Sequence, residues 1–245
     1  EDWAGGEGQR DYGDQTKILT SSGVDLRFTG HAFCGPFMQN VGSLTASYNI
    51  INHFQFYGQD NTLRTYRSYQ NQLDYLSGSS WIQAFSTTYA PNYSKVYSGK
   101  LWILTDQTYN THKSFTGATA STTLATFSVP SLSNIAQGLE VYNQLLWIGC
   151  HENATAGDVY IQGTTDGVSY PAADKYLVGD RQQRVNNIKE YANQLYVGKY
   201  DGLYVIDFYD DYARKIYACN PLSTNFNIME IFNGELYLNI GNGLF

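Results

Sequence analysis

Carboxylates in the second half of the chain are the first candidates for chemistry: Asp158, Asp166, Asp201, Asp207, Asp210 and Asp211. A glycosidase needs two such groups facing each other across a sugar, one of them with a raised pKa. However, Asp166 and Asp201 each precede a glycine, in pairs typical of tight hairpin turns, where aspartate serves the backbone. The turn interpretation is therefore favoured, and no catalytic residue is assigned.

Other reactive side chains lack the neighbours that catalysis or metal binding requires. His151 and Glu152 follow Cys150, but the remaining histidines, His31, His53 and His112, are far away in the sequence. A lone histidine in a loop is usually a solvated or hydrogen-bonded surface residue. No serine lies in a G-x-S-x-G turn, and the GGEGQ segment (5–9) lacks the lysine and the preceding strand of a phosphate-binding loop. We therefore expect a protein without enzymatic activity, metal or cofactor.

Aromatic side chains are the remaining resource for binding, at 16% of the chain with 22 tyrosines. Tyr and Trp offer a large contact area with a polar handle, which suits protein interfaces and sugar stacking alike. Eight aromatics recur at fixed positions and are expected to pack between repeated units: Tyr97, Trp102, Tyr142, Trp147, Tyr191, Tyr196, Phe232 and Tyr237. Aromatics outside that repeat are the binding candidates: Trp3, Tyr57, Tyr109, Tyr200, Tyr209 and Tyr212.

Four segments share one internal order of residues, and this repeat predicts the elements that position these side chains. Each has an aromatic, a two-residue turn, and then a leucine followed directly by another aromatic. The leucines are spaced by 45, 49 and 41 residues: Leu101, Leu146, Leu195 and Leu236. That period is typical of the four-stranded blades of a β-propeller.

The strand pattern is clearest from Ile188 to Asp207. Apolar and polar residues alternate there in short runs separated by Ala192-Asn193 and Asp201-Gly202, which predicts three strands in succession. The second pair is suited to the positive φ values of a short hairpin turn. Residues 164–170 resemble the Asp-box hairpin of sialidase-type propellers, in which the carboxylate accepts backbone N–H bonds. The charged segment 208–216 is expected to reach solvent.

These patterns predict an all-β protein: a β-propeller of about five four-stranded blades over residues 36–245, with an extended glycine-rich arm over residues 1–35. Leu63 marks an imperfect first blade, and the fifth begins near Phe226. The repeat breaks off two residues into a strand, at Leu244-Phe245. Because unpaired strand edges promote aggregation, we expect the ring to be completed by N-terminal strands, by further chain or by another subunit.

Net charge, hydropathy and cysteine content argue against several classes of partner and of covalent or metal cross-link. The formal net charge is −7, and 15 Lys and Arg are scattered without a basic cluster, which argues against nucleic-acid binding. No run of 18 apolar residues exists, so no membrane insertion is expected. The spacing of Cys34, Cys150 and Cys219 indicates reduced, small apolar fillers rather than a disulfide framework or a zinc site.

The N-terminal pattern resembles that of a known class of proteins. Residues 2–9 (DWAGGEGQ), followed by Ser22-Gly23-Val24-Asp25, are similar to the start of β-propeller-containing virion proteins of tailed bacteriophages. The FTGHAF segment (28–33) departs from the Pro-Gly expected there. The resemblance implies a non-enzymatic, extracellular virion component of the tail or host-attachment apparatus. It would bind neighbouring virion subunits through its arm and loops in a multi-copy assembly, and a glycan or protein of the host surface, with no catalytic residues to carry over.

Two other functions stay open on sequence alone. One is a carbohydrate-binding or glycoside-cleaving propeller acting on cell-surface polysaccharide. A ring of inward-facing carboxylates and aromatics at the channel mouth would favour it. The other is the sensory ectodomain of a signalling protein, which would require a transmembrane segment beyond Phe245.

Overall fold

A computed structural model describes residues 24–25, 33–34, 50–58, 60–86, 91–105, 113–116, 124–126, 135–152, 157–181, 183–241 and 243–245. The chain divides by its internal contacts into two units, residues 1–44 and 45–245. In the first unit, β1 (Val24–Asp25) pairs antiparallel with β2 (Phe33–Cys34). The rest of the predicted arm lies outside the described residues, and the predicted boundary at residue 35 stays a prediction.

The second unit contains five antiparallel sheets, each built from consecutive strands. Blade 1 comprises β3 (Ile50–Tyr57), β4 (Leu63–Tyr69), β5 (Gln72–Ser77) and β6 (Ser80–Ser86). Blade 2 comprises β7 (Pro91–Tyr97), β8 (Lys100–Thr105), β9 (Lys113–Phe115) and β10 (Leu124–Thr126). Blade 3 comprises β11 (Ile135–Tyr142), β12 (Leu145–His151), β13 (Val159–Thr164) and β14 (Lys175–Leu177).

The last two sheets continue the series. Blade 4 comprises β15 (Val185–Tyr191), β16 (Gln194–Lys199), β17 (Gly202–Asp207) and β18 (Tyr212–Ala218). Blade 5 has three described strands, β19 (Met229–Phe232), β20 (Glu235–Ile240) and β21 (Gly243–Leu244). A short 3-10 helix at Ala172–Asp174 precedes β14. The predicted all-β propeller of five blades is confirmed.

The first strand of each blade lies next to the first strand of the following blade. These inner strands therefore surround the central channel, and the later strands of each blade lie progressively further out. In blades 1 to 4 the pairing of the inner strand with the second strand shifts register once, at a β-bulge. Such a bulge increases the local twist of the strand and redirects its side chains.

The hydrophobic core is divided among the junctions between consecutive blades. Leu195 and Val197 of β16 pack with Trp147 and Ile161 of blade 3, whereas Leu203 of β17 packs with blade 5. Side chains of a strand alternate between its two faces. Leu195 and Val197 therefore point to the preceding blade, whereas Tyr196 and Gly198 lie on the face toward the following blade. The leucine-aromatic-aliphatic run of the repeat, which ends in glycine in blades 3 and 4, is therefore a blade-packing pattern.

The glycine of that run is required by close approach of the next blade. A Cβ on Gly149 would lie 2.6 Å from Val185 Cγ1 of blade 4, and one on Gly198 would lie 2.3 Å from Phe226 Cβ, which precedes blade 5. Neither distance is compatible with a side chain unless a neighbour moves.

The repeated tyrosines join each blade to the next. The hydroxyl of Tyr97 donates to Gln144 O at 2.6 Å, that of Tyr142 to Asn193 O at 2.9 Å, and that of Tyr191 to Gly234 O at 3.0 Å. In each case the acceptor lies in the first turn of the following blade. The prediction that these aromatics pack between blades is confirmed for these three tyrosines. It is also confirmed for Trp102, Trp147 and Tyr196, which pack on the following blade. It is wrong for Phe232, which is 64% exposed.

The turn between β16 and β17 differs from its prediction. Ala192 and Asn193 do adopt positive φ, at 49° and 58°, but Asp201 and Gly202 do not. The turn residues are Tyr200 and Asp201, because Lys199 pairs with Gly202. Glycine is needed at position 202 because a Cβ would lie 2.3 Å from Tyr217 O.

The assignment of Leu63 also needs correction. Leu63 is the first residue of β4, is exposed and pairs with Tyr57. Leu63 therefore does not occupy the buried position of the repeated leucines, and the next residue, Arg64, forms an ion pair of 2.6 Å with Asp60. Blade 1 therefore has the strand order of the other blades but lacks the buried leucine that blades 2 to 4 have at the start of the second strand.

The Asp-box interpretation of residues 164–170 is confirmed. Asp166 Oδ1 accepts hydrogen bonds from the backbone N–H groups of Val168 (2.8 Å) and Ser169 (2.7 Å). These two bonds hold the pKa of the Asp166 carboxyl well below its usual range. Gly167 lies against Trp102, since a Cβ there would be 2.1 Å from the indole. The hairpin thus also packs blade 3 on blade 2.

Candidate binding sites

Four side chains occupy the same position on successive inner strands and alternate in charge: Lys95, Glu140, Lys189 and Glu230. Each lies six residues before the repeated leucine of its blade, opposite the aromatic that follows this leucine. All four line a cavity of about 270 Å³ between the inner strands of blades 2 to 5. We call this set the channel ring.

The ring is partly closed by ion pairs between neighbouring blades. Lys95 Nζ contacts Glu140 Oε1, which also accepts the N–H of Val141 at 2.9 Å. Lys189 Nζ lies 2.7 Å from Glu230 Oε2. Lysines therefore separate the carboxylates, so the ring is not the circle of carboxylates that a glycoside-cleaving channel would present.

The rest of the polar channel wall is formed by Tyr93, Ser94 and two asparagines, Asn187 and Asn227. The Tyr93 hydroxyl of blade 2 donates to Asn186 O of blade 4 at 2.8 Å. Gly138 of blade 3 lies against the same strand of blade 4, since a Cβ there would be 3.0 Å from Ile188 N. Asn187 Nδ2 donates to Asn227 O at 3.1 Å. The sequence analysis did not select any of these residues. Aligning the four inner strands on the repeated leucines would have revealed the alternating charges.

The carboxylates considered at sequence level do not assemble into a site. Asp158 pairs with Arg181 at 2.8 Å. Asp207 Oδ1 accepts the backbone N–H groups of Tyr209 and Asp210 in the β17–β18 turn. The Asp166 carboxylate accepts backbone hydrogen bonds within its own turn. These acidic residues stabilise turns and loops in different places.

Asp201 has a different role from the one predicted, because its partners are side chains. Lys215 Nζ and the Tyr204 hydroxyl (3.0 Å) both donate to Asp201 Oδ2. Burial alone would raise the pKa of Asp201, but these hydrogen bonds outweigh it and the pKa is lowered. Burial raises the pKa of Tyr204 to about 12.

The same cluster contains Lys199, which is fully buried. Its ammonium donates to Val178 O at 2.6 Å and Asp180 O at 2.8 Å, and burial lowers its pKa. Gly179 lies directly on the Tyr204 ring, because a Cβ there would be 2.3 Å from the hydroxyl. The cluster ties the connection between blades 3 and 4 to blade 4, so its role is structural.

His151 is also buried, which corrects the expectation of a surface histidine. It ends β12 beside β13, where burial lowers its pKa. Its neighbour Glu152 pairs with Lys175 at 2.8 Å. Cys150 is a buried free thiol, and Cys219 is a half-buried one.

The predicted binding aromatics lie apart from one another. Tyr209 (94% exposed) and Tyr212 flank the β17–β18 turn, whereas Tyr200 lies in the turn at the opposite end of blade 4. Tyr57 ends β3 of blade 1 and is exposed. Trp3 and Tyr109 lie outside the described residues. The binding roles of all six stay predictions.

Blade 5 presents the largest change in exposure along the repeat. Phe232 is 64% exposed and Leu244 is 63% exposed, whereas Leu203, which corresponds to Leu244, is only 6% exposed. Tyr237 lies on the same face as both, by strand alternation. We call this surface (Phe232, Tyr237 and Leu244) the open face, because in blades 1 to 4 the corresponding face packs on the following blade.

The part of the chain that the structure describes contains neither a metal-binding cluster nor a membrane-spanning helix. No group of three or more His, Cys, Asp or Glu side chains there could hold a metal ion. No helix in these residues is long and apolar enough to cross a membrane.

Comparison with known proteins supports the fold. No protein-family model matches the sequence, and no curated protein does so. The extracellular domain of a protein assigned as a hybrid two-component system of B. thetaiotaomicron is similar, with a TM-score of 0.54 and 13% identity over 82% of this chain. A second such domain from the same organism gives a TM-score of 0.54 and 13% identity over 80% of this chain.

The likeness is one of architecture. The chain spans 26% and 28% of the length of those two structures. Puromycin hydrolase is more distant, with a TM-score of 0.46 and 9% identity over 71% of this chain and 33% of its own. The first two structures show that the protein belongs to the class of β-propellers, and at these identities they show the fold alone.

Proposed function

We propose that the protein is a non-enzymatic interaction module of a phage virion, in the tail or host-attachment apparatus. It binds a neighbouring virion subunit through the open face of blade 5. The observation that carries the proposal is the exposure of Phe232 and Leu244, whose counterparts in blade 4, Tyr191 and Leu203, are half-buried and buried. The virion context rests on the resemblance of residues 2–9 and 22–25 to tail-associated propeller proteins.

The chemistry of the open face suits a protein partner. Aromatic and aliphatic side chains that are fully desolvated at the centre of an interface contribute most of its binding energy. The Tyr237 hydroxyl donates to Glu235 Oε2 at 3.2 Å, which gives this face a polar margin. A contiguous exposed apolar surface rimmed by polar groups is typical of a protein interaction site.

The channel supports a binding function better than a catalytic one. Glu140 and Glu230 are the carboxylates of the ring, and each is ion-paired with a lysine of a neighbouring blade. A general acid and a second carboxylate across a sugar would need to be placed opposite each other, without such cations between them.

Photo-crosslinking in intact particles tests the proposal. A photoreactive phenylalanine analogue at position 232 should crosslink to a different virion protein when purified particles are irradiated. The matched control is the same analogue at Val168, which is 69% exposed but lies in the Asp-box turn of blade 3. Crosslinks at both positions alike, or none at position 232, would contradict docking through the open face.

A second candidate is a carbohydrate-binding or glycoside-cleaving propeller that acts on cell-surface polysaccharide. The polar cavity of the channel favours it, since sugars are bound through many hydrogen bonds to polar side chains. Binding to a glycan array, together with release of reducing ends from host polysaccharide, would support this candidate. Glycan binding that survives Lys189→Met and Asn187→Ala would place the sugar elsewhere.

A third candidate is a sensory ectodomain. The similar structures from B. thetaiotaomicron are extracellular domains of two-component systems, and this is the reason to keep the candidate. Purification of the full-length product from membranes, rather than from particles, would favour it over the virion role.

A further inference from the structure

The channel ring contains one junction that differs from the other two. The ring residues of blades 2 and 3 form an ion pair, and so do those of blades 4 and 5. Between blades 3 and 4, Glu140 and Lys189 occupy the same two positions with opposite charges. Among the described residues, no ion pair within 4.0 Å joins them. This junction is therefore open where its two equivalents are closed.

Both sides of the open junction have unused capacity for hydrogen bonding. The contacts of Glu140 with Lys95 and Val141 are made by Oε1. Its carboxylate can accept further bonds at Oε2. Lys189 Nζ donates to Glu230, whose side chain is mostly exposed, and an ammonium has three donors. Because the Glu230 carboxylate is mostly exposed, water screens its attraction to Lys189, so Lys189 can rearrange at little cost.

The size of the cavity limits what can occupy the junction. Its volume of about 270 Å³ lies just below the range of about 300–1,000 Å³ that is usual for drug-sized ligands. Its wall is polar, with the carboxamides of Asn187 and Asn227 beside the charged groups. Glu140 is buried, so a cation beside it would be attracted more strongly than at the protein surface.

We propose that the channel binds a small zwitterion between blades 3 and 4. The ammonium of the ligand pairs with Glu140, and its carboxylate pairs with Lys189. The ligand thereby completes the alternation of charges around the ring. A lone cation would leave Lys189 without a new partner, and a lone anion would leave Glu140 without one, so both groups must be on one molecule.

A series of linear amino carboxylates is the probe. Glycine, β-alanine, 4-aminobutyrate, 5-aminovalerate and 6-aminohexanoate carry the same two charges at increasing separation. Butylamine and butyrate each carry one of the charges and serve as ligand controls. Binding is measured by isothermal titration and by the rise in the unfolding temperature, since a ligand that binds only the folded state stabilises it.

We expect saturable binding of one member of the series with a preferred length, and none of butylamine or butyrate at the same concentrations. Lys189→Met and Glu140→Gln should each weaken binding by about tenfold or more, because each leaves one ligand charge unpaired in the cavity. Asp210→Asn, at an exposed carboxylate in the β17–β18 turn outside the channel, should bind as the unmodified protein does.

Three outcomes would overturn the proposal: no saturable binding by any member, equal binding of the singly charged controls, or unchanged binding by Lys189→Met. Lys189→Met keeps the test decisive if Glu140→Gln fails to fold, because Lys189 pairs with an exposed partner and not with a buried one.

Discussion

Blades 4 and 5 have nearly the same sequence pattern but opposite environments. Leu195 is fully buried and Leu236 is half-buried, although both are the second residue of the second strand. Tyr191 donates its hydroxyl to the next blade, whereas blade 5 has Phe232 at that position. The face of blade 5 that carries Phe232 and Leu244 has no blade of the described structure over it, so it exposes side chains at positions where blade 4 buries Leu203.

The comparison predicts that truncation of a leucine costs far more in blade 4 than in blade 5. Leu195→Ala should lower the free energy of unfolding by about 2–5 kcal/mol, because it removes buried atoms and leaves a cavity. Leu236→Ala should cost about 1 kcal/mol, since much of that side chain already contacts water. Urea denaturation of both variants measures the difference. Equal losses would mean that the two leucines are equally buried in solution.

The glycine that contacts the next blade gives a second test. Gly198→Ala should destabilise the protein by about 1–3 kcal/mol, because the new methyl overlaps Phe226. The control is Gly243→Ala in blade 5, where the nearest atom, at 2.9 Å, belongs to the exposed ring of Phe245, which can move. A small effect at position 198 in the same denaturation assay would show that the junction of blades 4 and 5 is loosely packed.

The hydrogen bond of the repeated tyrosine to the next blade can be removed in blade 4, and a tyrosine can be introduced at the same position in blade 5. Tyr191→Phe should cost about 0.5–1.5 kcal/mol, the usual net value of an intramolecular hydrogen bond. Phe232→Tyr should leave stability unchanged in the isolated protein, because no blade in the described structure covers that position. A gain from Phe232→Tyr would reveal an acceptor beside the open face.

A pH dependence is expected at the junction of blades 3 and 4. Burial lowers the pKa of His151 in the folded state, so the unfolded chain takes up its proton first as the pH falls. Stability should therefore decrease below about pH 6.5, the ordinary histidine pKa, and His151→Asn should reduce that dependence. The control is His53→Asn, at an exposed position. A dependence that His151→Asn leaves unchanged would assign the titration to other groups.

Much of the architecture was predictable because it depends on local periodicity. Strand geometry determines three features of the sequence: the alternation in 195–198, the turn at Ala192-Asn193, and the spacing of Leu101, Leu146 and Leu195. They therefore appear in the sequence. The hairpin at Asp166 was predictable for the same reason, since its carboxylate bonds to residues two and three positions away.

The candidate site was less predictable because it depends on which strands become neighbours. Glu140 and Lys189 are separated by a whole blade in the sequence, and only the arrangement of inner strands brings both to one cavity. Asp201 shows the same limit. Its position predicts a turn, but Lys215 becomes its partner only when β18 pairs with β17.

The sequence by itself determined the class of the protein: short strands, sharp turns and a period that matches one blade. The tertiary structure decided which faces are covered, because burial depends on contacts between residues of different blades. It therefore decided that Phe232 and Leu244 are exposed and that a channel of alternating charges lies between the inner strands. Neither property can be read from one blade alone, since each arises where two blades meet or fail to meet.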